Sequence, residues 1–194
     1  MSSNNTDWPP HKVQQSLQRL RDLKQLLDKK QVEKQADDDA VTSNLAKLLV
    51  VCCSGHLEVV SSSCIIEFMS RHADPLVSEY VHSQYKTWQS PKLEQLKKTL
   101  SSVSKTIAND FEDFLSKDSY GKDNFLSEIG SLVDQRNRIS HGDNDSVTER
   151  KAFQYYDAMN KISDWFISYF QPSGSADKFC NGSFTLVSAS SQRE

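Results

Sequence analysis

Glycine and proline are scarce in this chain. Its 194 residues contain only 6 Gly and 5 Pro. A large sheet protein needs many turn residues, so this scarcity favours helices. The length is sufficient for one domain with a single hydrophobic core and short tails.

The chain also lacks a surplus of positive charge. Its formal net charge is −3 at pH 7. A protein that binds nucleic acid tightly and non-specifically normally presents a broad basic surface. Any RNA site must therefore be a local basic patch on a nearly neutral body.

The cysteine pattern gives no sign of a metal site or a disulfide framework. The four cysteines, Cys52, Cys53, Cys64 and Cys180, form no CxxC pair and no Cys/His spacing that fits zinc. We therefore predict reduced cysteines, no metal and no cofactor. The polar N-terminus has no signal-peptide core, and no stretch reads as long and apolar enough to span a membrane. The expected location is cytoplasmic, with no membrane partner.

Apolar residues recur at three- and four-residue spacings, which is the pattern of amphipathic helices. No internal repeat and no strand ladder accompanies them, so we predict an all-α antiparallel helical bundle of about six or seven helices. The predicted helical segments are 13–27, 40–71, 76–85, 93–100, 107–115, 125–136 and 153–169.

The segment 40–71 is apolar on more than one face, which predicts a central position in the bundle. Gly55 interrupts it beside Ser54 and His56. Glycine costs roughly 1 kcal/mol in a helix interior. Gly55 therefore indicates either a kink or a close helix crossing.

Local signals predict where two later helices begin. Ser90 and Pro91 fit an N-cap followed by proline in the first turn. Residues 146–149 read Ser-Val-Thr-Glu and fit a capping box. The predicted organisation is a disordered tail at 1–9, a helical domain at 10–171 and a flexible tail at 172–194.

The chemistry is concentrated in the segment from Gln135 to Gly142, which reads Gln-Arg-Asn-Arg-Ile-Ser-His-Gly. Cleavage of RNA through its 2′-hydroxyl needs a base, an acid and positive charge beside the phosphorus. Histidine titrates near neutrality and can serve as base or acid. Arginine stays charged and can bind two phosphate oxygens at once. These residue types together can cleave RNA without a metal.

The spacing adds a constraint, because Arg136 and His141 point about 140° apart on a continuous helix. Either the helix ends before His141, which Gly142 favours, or each side chain meets its counterpart from a second chain. The two arrangements are compatible. Two symmetry-related motifs supply two histidines and at least two arginines, enough to share the acid, base and phosphate roles.

The segment resembles the R-x4-6-H motif of HEPN domains, in the form Arg-Asn-x-x-x-His, with Arg136, Asn137 and His141 in the matching positions. Its surroundings are similar to the bacterial HEPN proteins called RiboL-PSP-like, and the resemblance covers roughly residues 40–170. The stretches that carry this wider similarity are 54–58, 71–75 and 85–100.

The resemblance implies a HEPN-like bundle, a homodimer with its cleft between paired motifs, and a metal-independent endoribonuclease that leaves a 2′,3′-cyclic phosphate. It implies that Arg136 and His141 are catalytic, that Asn137 orients them and that Glu58 is auxiliary. Such proteins often act as toxins or anti-phage effectors, with an antitoxin or defence-system partner. Asp143 stands where adenylylated HEPN toxins carry tyrosine, so a nucleotidyltransferase partner is not expected.

Each of these residues also has a plainer interpretation. Arg136 and His141 suit a solvated helix end, where cations favour the dipole, and Asn137 suits a C-terminal cap. Arg138 either binds phosphate or is simply exposed, and Glu58 can be an ion-paired surface acid. For the whole protein, the alternative is a non-catalytic helical dimerisation or binding module.

Overall fold

A computed structural model describes residues 8–33, 39–85, 91–117, 124–143 and 146–176. These residues form seven helices and no strand, which confirms the predicted all-α class. In chain order the helices are α1 (His11–Glu33), α2 (Asp39–His72), α3 (Pro75–Tyr85), α4 (Leu93–Val103), α5 (Lys105–Lys117), α6 (Asn124–Ser140) and α7 (Glu149–Phe170).

Helix α2 occupies the centre of the bundle, as its apolar character predicts. It contacts α1, α3, α6 and α7. Its buried side chains extend from Thr42 to Phe68. A helix that packs on several neighbours must be apolar around much of its circumference. The position of α2 therefore follows directly from its composition.

The contacts of α2 fix its direction relative to α7. His56 lies between Ser16 of α1 and Ser163 of α7, and both of its ring nitrogens are 2.9 Å from a serine hydroxyl oxygen. Further along, Arg71 donates from Nη2 to the carbonyl oxygen of Phe170 at 2.7 Å. Because both positions advance together, α2 and α7 run parallel.

The N-terminal residues pack at the far ends of these two helices. The indole Nε1 of Trp8 donates to the carbonyl oxygen of Ile167 at 2.9 Å, and the guanidinium of Arg71 lies 5.3 Å from a Trp8 ring centroid. Helix α1 therefore runs antiparallel to α2 and α7. Of the two predicted tails, residues 1–7 and 177–194 lie outside the described residues, whereas Trp8 is partly buried and Ala176 is fully buried.

Two predicted helix starts are wrong in detail. Helix α4 begins at Leu93 after an extended Lys92, so Pro91 is not in its first turn; Ser90 lies outside the described residues. Helix α7 is capped by Thr148, whose hydroxyl accepts from the backbone N–H of Lys151 at 3.3 Å. Threonine satisfies the same unpaired N–H as serine. The cap residue therefore lies two positions after Ser146, the residue predicted from the capping box.

The sequence-based statement that no stretch is long and apolar enough to cross a membrane is also wrong. By length and composition alone, α2 passes that test. The test is weak evidence, because central helices of bundles pass it too, and 56% of the most apolar window of α2 is buried inside the structure. Packing of α2 by four other helices accounts for its apolar character here.

Candidate functional site

The inward face of α6 leads to Arg136. Ile129, Leu132 and Val133 are buried at successive turns, and Arg136 follows three residues after Val133 on the same side of the helix. Arg136 is only partly buried. Its aliphatic stem therefore lies at the edge of the core, while the guanidinium reaches the rim.

Helix α6 ends in a Schellman motif immediately after the arginines. The N–H of Asp143 donates to the carbonyl oxygen of Arg138 at 3.0 Å, and the N–H of Gly142 to that of Ile139 at 3.1 Å. Gly142 has a φ of +80°, the left-handed conformation that this motif requires. The predicted end of the helix before His141 is confirmed, so His141 is the C-cap residue.

Asn137 connects the two residues of the motif. Its side-chain Oδ1 accepts a hydrogen bond from Arg136 Nη1 at 3.1 Å. Its backbone carbonyl oxygen accepts from the N–H of His141 at 3.0 Å. One residue thus holds the guanidinium with its side chain and the histidine backbone with its main chain, which supports the predicted orienting role.

Glu58 approaches the motif from α2. Partial burial raises the pKa of its carboxyl group, and the positive charge of Arg136 acts in the opposite direction. Glu58 and Arg136 are therefore near enough to interact electrostatically across the α2–α6 contact. The structure brings this predicted auxiliary residue to the arginine that it was expected to assist.

The remaining site residues face solvent. His141 and Arg138 are both exposed. An exposed imidazole at a helix end is accessible to a large substrate such as RNA, and the two arginines beside it provide positive charge. Of the five predicted residues, Arg136, Asn137, His141 and Glu58 form one cluster. Arg138 adds a cation on the outer side of the same turn.

Sequence reasoning missed the ion pair that braces α6. Lys151 Nζ lies 2.7 Å from Glu128 Oε1 and 2.6 Å from Oε2, and it joins α7 to the first half of α6. The two residues are 23 positions apart. No local pattern in the sequence relates them, because the pair depends on how the two helices cross.

A groove of about 800 Å³ between α5 and α7 lies apart from this cluster. Its lining includes Asp110, Asp113, Trp165 and Tyr169, and none of the five predicted site residues. Tyr169 donates to Asp110 at 2.6 Å, so part of its polar lining is already paired. The groove does not identify the site; the motif at the end of α6 does.

Comparison with known proteins identifies one family. A family model described as RiboL-PSP-HEPN matches residues 14–170. No curated protein and no solved structure matches the chain. The matched region spans most of α1 through the last residue of α7 and includes every predicted site residue.

Proposed function

The chain belongs to the RiboL-PSP-HEPN family, whose match indicates a nucleotide-binding or RNase-like domain, and we propose that it is a metal-independent endoribonuclease. The observation that carries the proposal is the linkage of Arg136 and His141 through Asn137 at the capped end of α6. This linkage places a permanent cation and a titratable imidazole on one ordered turn.

The proposed reaction is transesterification within the RNA chain. A base removes the proton from the 2′-hydroxyl, the 2′-oxygen attacks phosphorus, and the bond from phosphorus to the 5′-oxygen breaks. An acid gives a proton to the departing 5′-oxygen, so the products are a 2′,3′-cyclic phosphate and a 5′-hydroxyl. His141 suits one proton-transfer role, and Arg136 suits the phosphate oxygens.

A single motif provides one imidazole for two proton transfers. The proposal therefore includes a homodimer, in which His141 of the second copy takes the other role and its Arg136 adds charge at the phosphate. Arg138 contributes a further cation for the RNA backbone. Glu58 acts through Arg136 and is a positioning residue.

The test is cleavage of RNA in the presence of EDTA. Wild type should cut, and the products should end in a 2′,3′-cyclic phosphate. Loss of general acid–base catalysis typically costs at least about 100-fold, so His141→Ala and Arg136→Ala should fall by that factor and remain folded. The exposed residues His82 and Arg21 give matched controls as alanine variants. Intact RNA with wild type, or equal cutting by His141→Ala, rules out the proposal.

The biological role that we propose is that of a toxin or anti-phage effector, restrained by an antitoxin or a defence-system partner. A nuclease without a built-in inhibitor damages the cell that makes it. Expression of wild type should therefore arrest growth, whereas an equal amount of His141→Ala should not. Growth arrest by both variants would separate toxicity from RNA cleavage and would contradict this role.

A non-catalytic binding module is the second candidate. The net charge of −3 and the exposed apolar side chains of α3, Leu76 at 77% and Tyr80 at 65% exposure, favour it. Such a module forms a dimer or a complex without cleaving RNA and tolerates changes at Arg136 and His141. The same variants therefore distinguish the two functions.

A further inference from the structure

The central helix α2 is not covered on all sides. Leu45, Cys52 and Val59 pack against the core, whereas Leu48 is 49% exposed and Val41 is 47% exposed. The exposed positions repeat at spacings of three and four residues and so form one face. We call this face the α2 stripe; it consists of Val41, Asn44, Leu48, Val51, Gly55 and Glu58.

Gly55 is the narrowest point of the α2 stripe. A Cβ added at this position meets no atom within 4 Å, so the space in front of its backbone is open. Nothing inside the chain requires the absence of a side chain there. Glycine in a helix interior is unfavourable, and close approach of another backbone is a reason to keep it.

The α2 stripe is continuous with the candidate site. Glu58 follows Gly55 by three residues, which is about 4.5 Å along a helix axis. The carboxyl group of Glu58 interacts with Arg136. A body that packs across Gly55 therefore lies within one helical turn of the catalytic cluster.

We propose that a second copy of this chain docks on the α2 stripe, with the two α2 helices crossing at Gly55 so that the two Arg136–His141 segments face each other. This inference rests on the proposed function, because it names the surface through which the second motif reaches the first. A two-fold axis at Gly55 places each Glu58 about 4.5 Å from the crossing point along its own helix.

The composition of the stripe favours a second copy over other occupants. Around an antiparallel two-fold crossing at Gly55, Val51 of one copy faces Val59 of the other, and both are partly exposed apolar side chains. Such a surface is complementary to itself. RNA is disfavoured, because the stripe carries no cation between Val41 and Glu58.

The experiment compares Leu48→Lys with Val77→Lys. Val77 of α3 is 47% exposed, nearly the same as Leu48 at 49%, and it lies off the stripe. Molecular mass is measured by light scattering over a range of concentrations, and RNA cleavage is measured in parallel. We expect Leu48→Lys to raise the dimer dissociation constant at least about tenfold and to lose activity with it. Val77→Lys should match wild type in both.

A cysteine at Gly55 tests the crossing point directly. In a background with Cys52→Ser and Cys180→Ser, Gly55→Cys should form a disulfide-linked dimer on oxidation, because the two Cα atoms come within the roughly 4.4–6.8 Å that a disulfide needs. Val77→Cys in the same background is the control. The open space at Gly55 lets the folded single chain accept the new side chain.

These outcomes separate the inference from the function on which it rests. A dimer that Leu48→Lys breaks, but that never cuts RNA, supports the docking surface and contradicts the nuclease. An active nuclease whose dimer is unaffected by Leu48→Lys, or which does not cross-link through Gly55→Cys, overturns the docking surface alone. A monomer that binds another protein through Leu48 also overturns it.

Discussion

At the scale of single residues, His56 performs a structural role that its sequence context hides. It is fully buried and lies within hydrogen-bonding distance of hydroxyls from two other helices. Burial lowers the pKa of His56 from 6.5 to about 4. The imidazole is therefore neutral in the folded protein at every pH at which the protein is expected to work.

This lowered pKa predicts a loss of stability in mild acid. Below pH 6.5 the unfolded chain binds a proton at His56 that the folded chain refuses until about pH 4, so stability is lost across that window. The gap corresponds to about 3 kcal/mol. Urea unfolding between pH 7 and pH 4.5 should show a steeper decline for wild type than for His56→Gln. Equal slopes would contradict the assignment.

Glu58 gives a second prediction at this scale. Its raised pKa shows that the charged form is partly desolvated, so Glu58→Gln should leave stability at pH 7 unchanged or slightly higher. The same change removes the charge that acts on Arg136. Cleavage should fall about tenfold, equivalent to about 1.4 kcal/mol of lost positioning. Loss of folding, or unchanged cleavage, would show that Glu58 does not position Arg136.

Single residues divide clearly into those that the sequence could identify and those that it could not. Arg136, Asn137 and His141 lie within six consecutive positions, so a local motif reveals them. The partner of His56 in α7 is 107 positions away. No local pattern encodes such a pair, because it depends on how complete helices pack.

At the scale of elements, the end of α6 is set by one glycine. Gly142 adopts a φ of +80° with no atom within 4 Å of an added Cβ, so its requirement is conformational. Gly142→Ala should cost about 1 kcal/mol and lower Tm by about 2–4 °C for a chain of this size. It should also reduce cleavage, because the cap places His141. Asn tolerates this conformation, so Gly142→Asn should recover part of both.

Gly130 in the same helix is the matched control. An added Cβ there also meets nothing within 4 Å, but its φ is not positive. Gly130→Ala should therefore stabilise the protein by up to about 1 kcal/mol through helix propensity. Opposite signs for the two substitutions are expected in thermal unfolding. Equal effects would show that the left-handed cap is not the source of the cost.

Helices were predictable because their apolar spacing is a local property. The long periodic segments of α1, α2 and α7 leave little ambiguity. Cap residues were less predictable, since Ser146 and Thr148 both suit an N-cap and only Thr148 reaches the backbone of Lys151. The direction in which α2 passes α7 could not be read from sequence, because both alignments bury the same apolar faces.

At the scale of the whole molecule, contacts near Trp8 close the bundle. Its indole joins the start of α1 to Ile167 and Arg71. Trp8→Ala should destabilise the protein by about 2 kcal/mol through lost ring contacts and the lost hydrogen bond. Trp8→Phe keeps a ring and should lose less. Denaturant unfolding of the three proteins gives the comparison, and equal midpoints would contradict the role of Trp8.

The parallel packing of α7 on α2 has a consequence for how the protein is made. Ninety-eight residues separate His72 from Phe170, so a ribosome takes about 5–20 s to add the second helix after finishing the first. Until then the buried face of α2 has no cover, and Glu58 and Arg136 sit on an unfinished scaffold. A nascent chain that already carries the whole motif therefore lacks a folded site. For an enzyme that cuts RNA, this order delays activity until translation of its own message is nearly complete.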